Sequence, residues 1–154
     1  MRESGGTPMT KPETPVSRKR RVRVRIESRQ SGQKQSWLAR GELYAVNGMF
    51  YLRYDEPDTD MGRTTATVKW DESHIKVIRH GDVRSDLTFR SGTRTVGSYE
   101  LPQGRMELEV MTHGIDRKLT DGLGMLSWSY DMVAGGAPAG RMRLALTIEE
   151  ELTE

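Results

Sequence analysis

An all-β chain, folded as a closed or nearly closed antiparallel up-and-down barrel of about eight to ten strands, is what the sequence predicts. Three observations carry this. Apolar and polar residues alternate along most of the chain, no window sets apolar residues at helical spacing, and most connections between the alternating runs are about two to six residues long. Short connections favour a meander, and a meander of this size closes on itself to remove its edges.

The first alternating run is Arg21–Ser28, with Val22, Val24 and Ile26 on one face and Arg21, Arg23, Arg25 and Glu27 on the other. After the turn RQSGQ, residues 35–46 (QSWLARGELYAV) read as a strand broken by a bulge or bend at Gly41. Asn47-Gly48, flanked by strand-like residues, is the strongest hairpin signal in the chain, because both turn positions need positive φ. It predicts that residues 49–56 (MFYLRYDE) pair back on the preceding strand. The loop PDTDMG then leads to 63–70 (RTTATVKW), followed by 74–80 (HIKVIRH), 85–90 (SDLTFR) and 93–101 (TRTVGSYEL). Beyond the Pro102-Gln103-Gly104 turn, Met106, Leu108, Val110 and Thr112 share one face, opposite Glu107, Glu109, Met111 and His113. A polar loop is expected at 114–124 (GIDRKLTDGLG), before a strand whose inner face carries Leu126, Trp128, Tyr130 and Met132. GGAPAG is expected to be a second loop, and RMRLALTIEE the last strand, with Met142, Leu144, Leu146 and Ile148 together.

The 154 residues suit one domain, read as a disordered basic tail over 1–19 and a barrel over 20–151. The chain has no cysteine, which excludes disulfides, thiolate metal sites and cysteine nucleophiles. No run longer than a strand is continuously apolar, and MRESGGTPMTKPETP lacks the apolar core of a signal peptide, so a cytoplasmic protein without membrane association is expected. Charge is uneven. Residues 1–25 carry eight lysines and arginines against two glutamates, whereas the rest carries sixteen basic and twenty acidic residues.

Read in order, Gly41-Glu42-Leu43-Tyr44, YLRYDE, the threonine-rich VKW strand, VIRHG, LTFRSG, SYELPQG, MTHGI and LSWSYDM resemble the YwiB-like family of small bacterial proteins, over roughly residues 22–150. The resemblance implies a calycin-like, lipocalin-related β-barrel whose biochemical function is uncharacterised.

No catalytic constellation emerges from the residues. His74, His80 and His113 lack metal-ligand spacing, and the first two share a face with Lys76 that is expected to be solvated. No G-x-S-x-G elbow is present, Glu107 and Glu109 read as the wet face of a strand, and GAPAGR lacks the lysine and helix of a phosphate loop. No cofactor or metal is expected. The informative set is polar residues in phase with apolar ones: Tyr54, Arg79, Tyr99, Thr112 and Tyr130 continue core faces, and Glu56, two beyond Tyr54, is the expected partner of Arg79. Such residues suit a hydrogen-bonded plug closing the barrel end, or a polar cluster orienting the head of a small apolar or amphipathic ligand. Met106, Met132 and Met142 fit core filling or a pocket wall. The function class expected is a non-enzymatic barrel that binds a small ligand or a partner surface. The alternative is a nucleic-acid-associated barrel using Arg18, Lys19, Arg20 and Arg21 on phosphates.

Overall fold

The structure, a computed structural model, describes residues 17–56 and 63–151. Residues 1–16 of the expected tail and the whole PDTDMG loop lie outside the described residues. Among the described residues there are ten strands: β1 (Arg20–Gln30), β2 (Gln33–Val46), β3 (Met49–Asp55), β4 (Thr64–Trp70), β5 (Ile75–Gly81), β6 (Arg84–Phe89), β7 (Arg94–Leu101), β8 (Gly104–Thr120), β9 (Leu123–Ala134) and β10 (Ala137–Glu150).

Each strand pairs antiparallel with the next, and β10 returns to pair with β1, so the sheet is a closed barrel in meander order. The closing ladder runs from Met142 opposite Gln30 to Glu150 opposite Val22, and the Glu151 amide extends it by donating to the Arg21 carbonyl at 2.8 Å. The shortest ladder is that of β6 with β7, which pairs only Arg84–Glu100, Ser85–Tyr99 and Asp86–Ser98. Beyond it the Thr95 hydroxyl bridges to the Thr88 carbonyl.

Period-two alternation explains the interior. Val22, Val24, Ile26, Leu43, Leu52, Ala66, Val68, Ile75, Val110, Leu126, Leu146 and Ile148 are all essentially inaccessible and point inward. Each such valine, leucine or isoleucine contributes about 1.5–3 kcal/mol of transfer free energy. One end of the barrel is filled: Phe50 stacks on Trp70 with centroids 5.5 Å apart, and Leu119 and Leu123 pack on the same core.

Four two-residue turns, Ser31-Gly32, Asn47-Gly48, Asp121-Gly122 and Gly135-Gly136, have positive φ at both positions, the backbone of a type I′ hairpin. The Asn47-Gly48 expectation is met. Two loops are corrected. The stretch 114–124 is not a polar loop: β8 continues to Thr120, with Ile115, Arg117 and Leu119 turned inward and Asp116, Lys118 and Thr120 exposed. GGAPAG shrinks to Gly135-Gly136, since β10 already begins at Ala137.

Two β-bulges account for the first misreading and shape the second strand. Ser129 faces Gly114 while Tyr130 faces Thr112, so His113 is an extra residue in β8. Inward residues are even-numbered before it and odd-numbered after it, which breaks the alternation as read along the sequence. In the same way Met132 faces Gly140 and Val133 faces Pro138, leaving Ala139 extra in β10.

Gly41 carries no bulge, contrary to expectation. It lies in unbroken register between Val22 and Tyr54. Its role is steric: a Cβ there would sit 2.5 Å from the Arg53 carbonyl oxygen and 3.2 Å from the Tyr54 Cβ. Gly41→Ala is therefore expected to destabilise the fold by about 1–3 kcal/mol through overpacking against a neighbouring backbone, read as a lower urea midpoint with unchanged slope. An unchanged midpoint would show that the neighbouring strand yields freely.

Candidate functional site

The end opposite the Phe50–Trp70 plug is not filled. Inward side chains near the 31–32, 82–83, 102–103 and 135–136 turns leave a half-open cavity of about 400 Å³. Its walls are mostly apolar, from residues including Ile26, Val68, Val77, Leu108, Leu144 and Leu146, together with Met106, Met132 and Met142. Five of the six polar residues singled out by phase line it: Tyr54, Glu56, Arg79, Tyr99 and Tyr130. Thr112 does not. It is fully buried, its amide donates to the Thr93 carbonyl and its carbonyl accepts from the Gly92 amide. Its phase was right, but its side chain does not reach the cavity.

Arg79 and Glu56 form the expected pair. Arg79 comes from β5 and Glu56 from the residue after β3, and the guanidinium Nε donates to Glu56 Oε1 at 2.8 Å. The carboxylate is almost fully buried, with 2 % of its side chain exposed, and the arginine side chain is 17 % exposed. Burial works against the Arg79 charge, but the Glu56 carboxylate outweighs it, with Tyr54 helping, so the guanidinium pKa moves up. Burial also pushes up the two phenols. Tyr130 rises to about 12, with Arg79 opposing, and Tyr54 rises further because Glu56 adds to the effect of burial. Both are therefore neutral hydroxyls at physiological pH. Tyr130 is held in place by Phe89, whose ring lies 4.6 Å from its own.

Sequence reasoning missed two further wall residues, Trp37 and Trp128, as polar members of this site. Both indole Nε1 atoms are buried and find no hydrogen-bond partner among the described residues. Trp37 could have been found from its phase, since it lies an even number of residues before the buried Leu43 in the same strand.

Other candidates resolve into structure. The His74 imidazole is mostly covered, not solvated: its Nδ1 lies 3.0 Å from both Asp71 Oδ1 and Ser73 Oγ in the β4–β5 turn. Because serine and aspartate meet the same ring nitrogen, this trio cannot relay a proton from the hydroxyl through the ring to the carboxylate. The exposed His113, placed outward by its bulge, sits 2.9 Å from Asp131 Oδ2, and Arg141 clasps the same carboxylate at 3.0 Å. His80 is exposed, as expected. Among the described residues no group of three histidine, aspartate or glutamate side chains is placed to hold a metal, and no helix is long and apolar enough to cross a membrane.

The basic arm is partly engaged. Lys19 lies over the Tyr44 ring, 5.3 Å from its centroid. Arg20, where the barrel is expected to start, is the first residue of β1, and its Nη2 donates to the Asp121 carbonyl at 2.6 Å. Ser17 is docked too, its amide donating to the Ala45 carbonyl at 2.9 Å. Arg18 and Arg21 remain exposed.

The polar pair sets a stability test. Glu56→Ala leaves a largely buried guanidinium without its carboxylate and is expected to cost about 3 kcal/mol, whereas replacing both Glu56 and Arg79 by Met should cost less than Glu56→Ala alone. Chemical denaturation of the three proteins measures both values. A double variant less stable than Glu56→Ala would mean that the pair, and not its unpaired remnant, carries the stability.

Comparison with known proteins agrees with this architecture. The chain is 29 % identical over 139 residues to the uncharacterized beta-barrel protein YwiB of Bacillus subtilis (strain 168), covering 90 % of this chain and 96 % of that protein. Its fold matches the crystal structure of the ywiB protein from Bacillus subtilis with a TM-score of 0.68 at 22 % identity, over 89 % of this chain and 94 % of the other. The model of a domain of unknown function, DUF1934, matches residues 21–146, from the first barrel strand to the last, and the chain belongs to that family.

Proposed function

We propose that this chain is a non-enzymatic, cytoplasmic binding protein that holds one small amphipathic molecule in its half-open barrel. The observation that carries the reading is the cavity of about 400 Å³, apolar over most of its wall and furnished at one side with Arg79, Glu56, Tyr54 and Tyr130. Apolar walls supply affinity and a few placed polar groups supply orientation, the usual division of labour in small-molecule sites. The calycin-like kinship that the sequence motifs imply accords with a ligand held inside the barrel. Two features support a binding role over turnover: the serine–histidine–aspartate trio serves a turn, and the His113–Asp131–Arg141 cluster lies on the outer surface, away from the cavity. Native mass spectrometry of the full chain purified from cell extract is expected to show an added small-molecule mass, absent from Met142→Trp, which fills the lumen. Bare polypeptide in every preparation, together with a crystal structure whose interior is closed by side chains, would overturn the reading.

One observation favours a second reading, an association with nucleic acid. The register sets Arg23 directly opposite Arg40 and Arg29 opposite Lys34 on the outer wall, only partly offset by Glu149 opposite Arg23 and by the pairing of Arg40 with Glu151 and of Lys34 with Glu27. Like charges facing each other across a ladder are destabilising, and a polyanion would relieve them. Under this reading, binding to a short duplex falls by orders of magnitude between about 50 and 200 mM salt. Arg23→Glu with Arg40→Glu abolishes it. Absence of binding at the lower salt concentration removes this reading.

A further inference from the structure

We infer that the molecule held in the barrel carries an uncharged, hydrogen-bond-accepting head of the carbonyl type on a flat aromatic body. The inference rests on the binding role proposed above and names the ligand class for the same cavity.

The charge balance of the wall comes first. Arg79 and Glu56 are the charged side chains lining the cavity, and they already neutralise each other at 2.8 Å. An anionic head could reach the guanidinium only by approaching the buried Glu56 carboxylate, and a cationic head would meet the guanidinium on its way to Glu56. Either ion would also have to leave its hydration behind without gaining an unopposed counter-charge. An uncharged head avoids both penalties.

The balance of donors and acceptors then selects the kind of uncharged head. Arg79 has five donor hydrogens, and its one hydrogen bond among the described residues runs from Nε to Glu56. The hydroxyls of Tyr54 and Tyr130 stand on the same wall. The remaining guanidinium hydrogens can only donate, so a bound molecule that brings acceptors of its own meets them, and a buried donor left unmet is costly. A carbonyl oxygen with two lone pairs and no charge meets that requirement; an ammonium or a second carboxylate does not.

The apolar wall indicates the body. Two indoles, three phenols and three methionines give it flat, polarisable faces, which favour a conjugated ring system over a flexible alkyl chain. The chain contains no cysteine, so an electrophilic carbonyl compound would meet no thiol within it.

The test uses three probes with one naphthalene body and different heads: 2-acetylnaphthalene, 2-naphthoate and 2-ethylnaphthalene, each measured by equilibrium dialysis against the full chain. The ketone is expected to bind at least about tenfold more tightly than either of the others. The charge-neutral double variant, Glu56→Met with Arg79→Met, should cut the advantage of the ketone over the hydrocarbon several-fold. The ranking of the three probes on the unaltered chain reports even if the double variant proves poorly folded. Tighter binding of naphthoate, or equal binding of all three, overturns the carbonyl assignment and leaves the binding role standing. Failure of all three probes, with no small-molecule mass on the purified protein, overturns the role itself.

Discussion

Closure is the constraint on which everything else in this molecule depends. Nine of the ten ladders join strands adjacent in sequence, and each can form from local chain alone. The tenth joins β10 to β1 and sets Leu146 against Ile26 across most of the chain's length. Until it forms, the sheet has two free edges and an interior open to water along one side. Loop closure over so long a separation carries an entropy cost that must be met before the core rewards it. The buried aliphatic rows on both closing strands, Val22, Val24 and Ile26 facing Leu146 and Ile148, are what meet it. The three-pair ladder between β6 and β7 marks the opposite extreme, a wall held by little backbone pairing.

A closed wall creates two very different ends. At one, Phe50, Trp70 and their neighbours fill the space. At the other, side chains of comparable size stand back, and a guanidinium and a carboxylate occupy positions that alternation reserves for apolar groups. That arrangement is tolerable only because β3 and β5 lie one strand apart, which brings Glu56 within hydrogen-bond distance of Arg79. The same wall that makes the pair necessary makes it possible.

Much of this was legible in the sequence because period-two alternation reports side-chain direction directly. The all-β class, the meander, the Asn47-Gly48 hairpin and the Glu56–Arg79 partnership all follow from phase alone. Side-chain reach does not, so Thr112, which faces Tyr130 across the ladder but does not line the cavity, was grouped with residues that do. Nor does cross-strand register, which is what turns Trp37 into a neighbour of Ile26 and assembles Arg23 with Arg40. The 114–124 segment was lost for a further reason. A bulge inverts the parity of inward residues, and a strand whose phase changes midway has the averaged pattern of a loop. Gly41 was read as a defect in its strand when it is space left for the backbone of Arg53.

The bulges at His113 and Ala139 bear on how such a barrel can change length over evolution. In a regular strand, gaining or losing one residue exchanges the inner and outer faces of everything beyond it, and the whole interior is lost at a stroke. A bulge absorbs that single step, so each is a place where a one-residue insertion can be accommodated within a wall that must otherwise change by twos. Both occur in the long β8–β9–β10 wall. Gaps of one residue between homologous chains should therefore gather there and at the turns, leaving the shorter strands β3 to β6 in constant register.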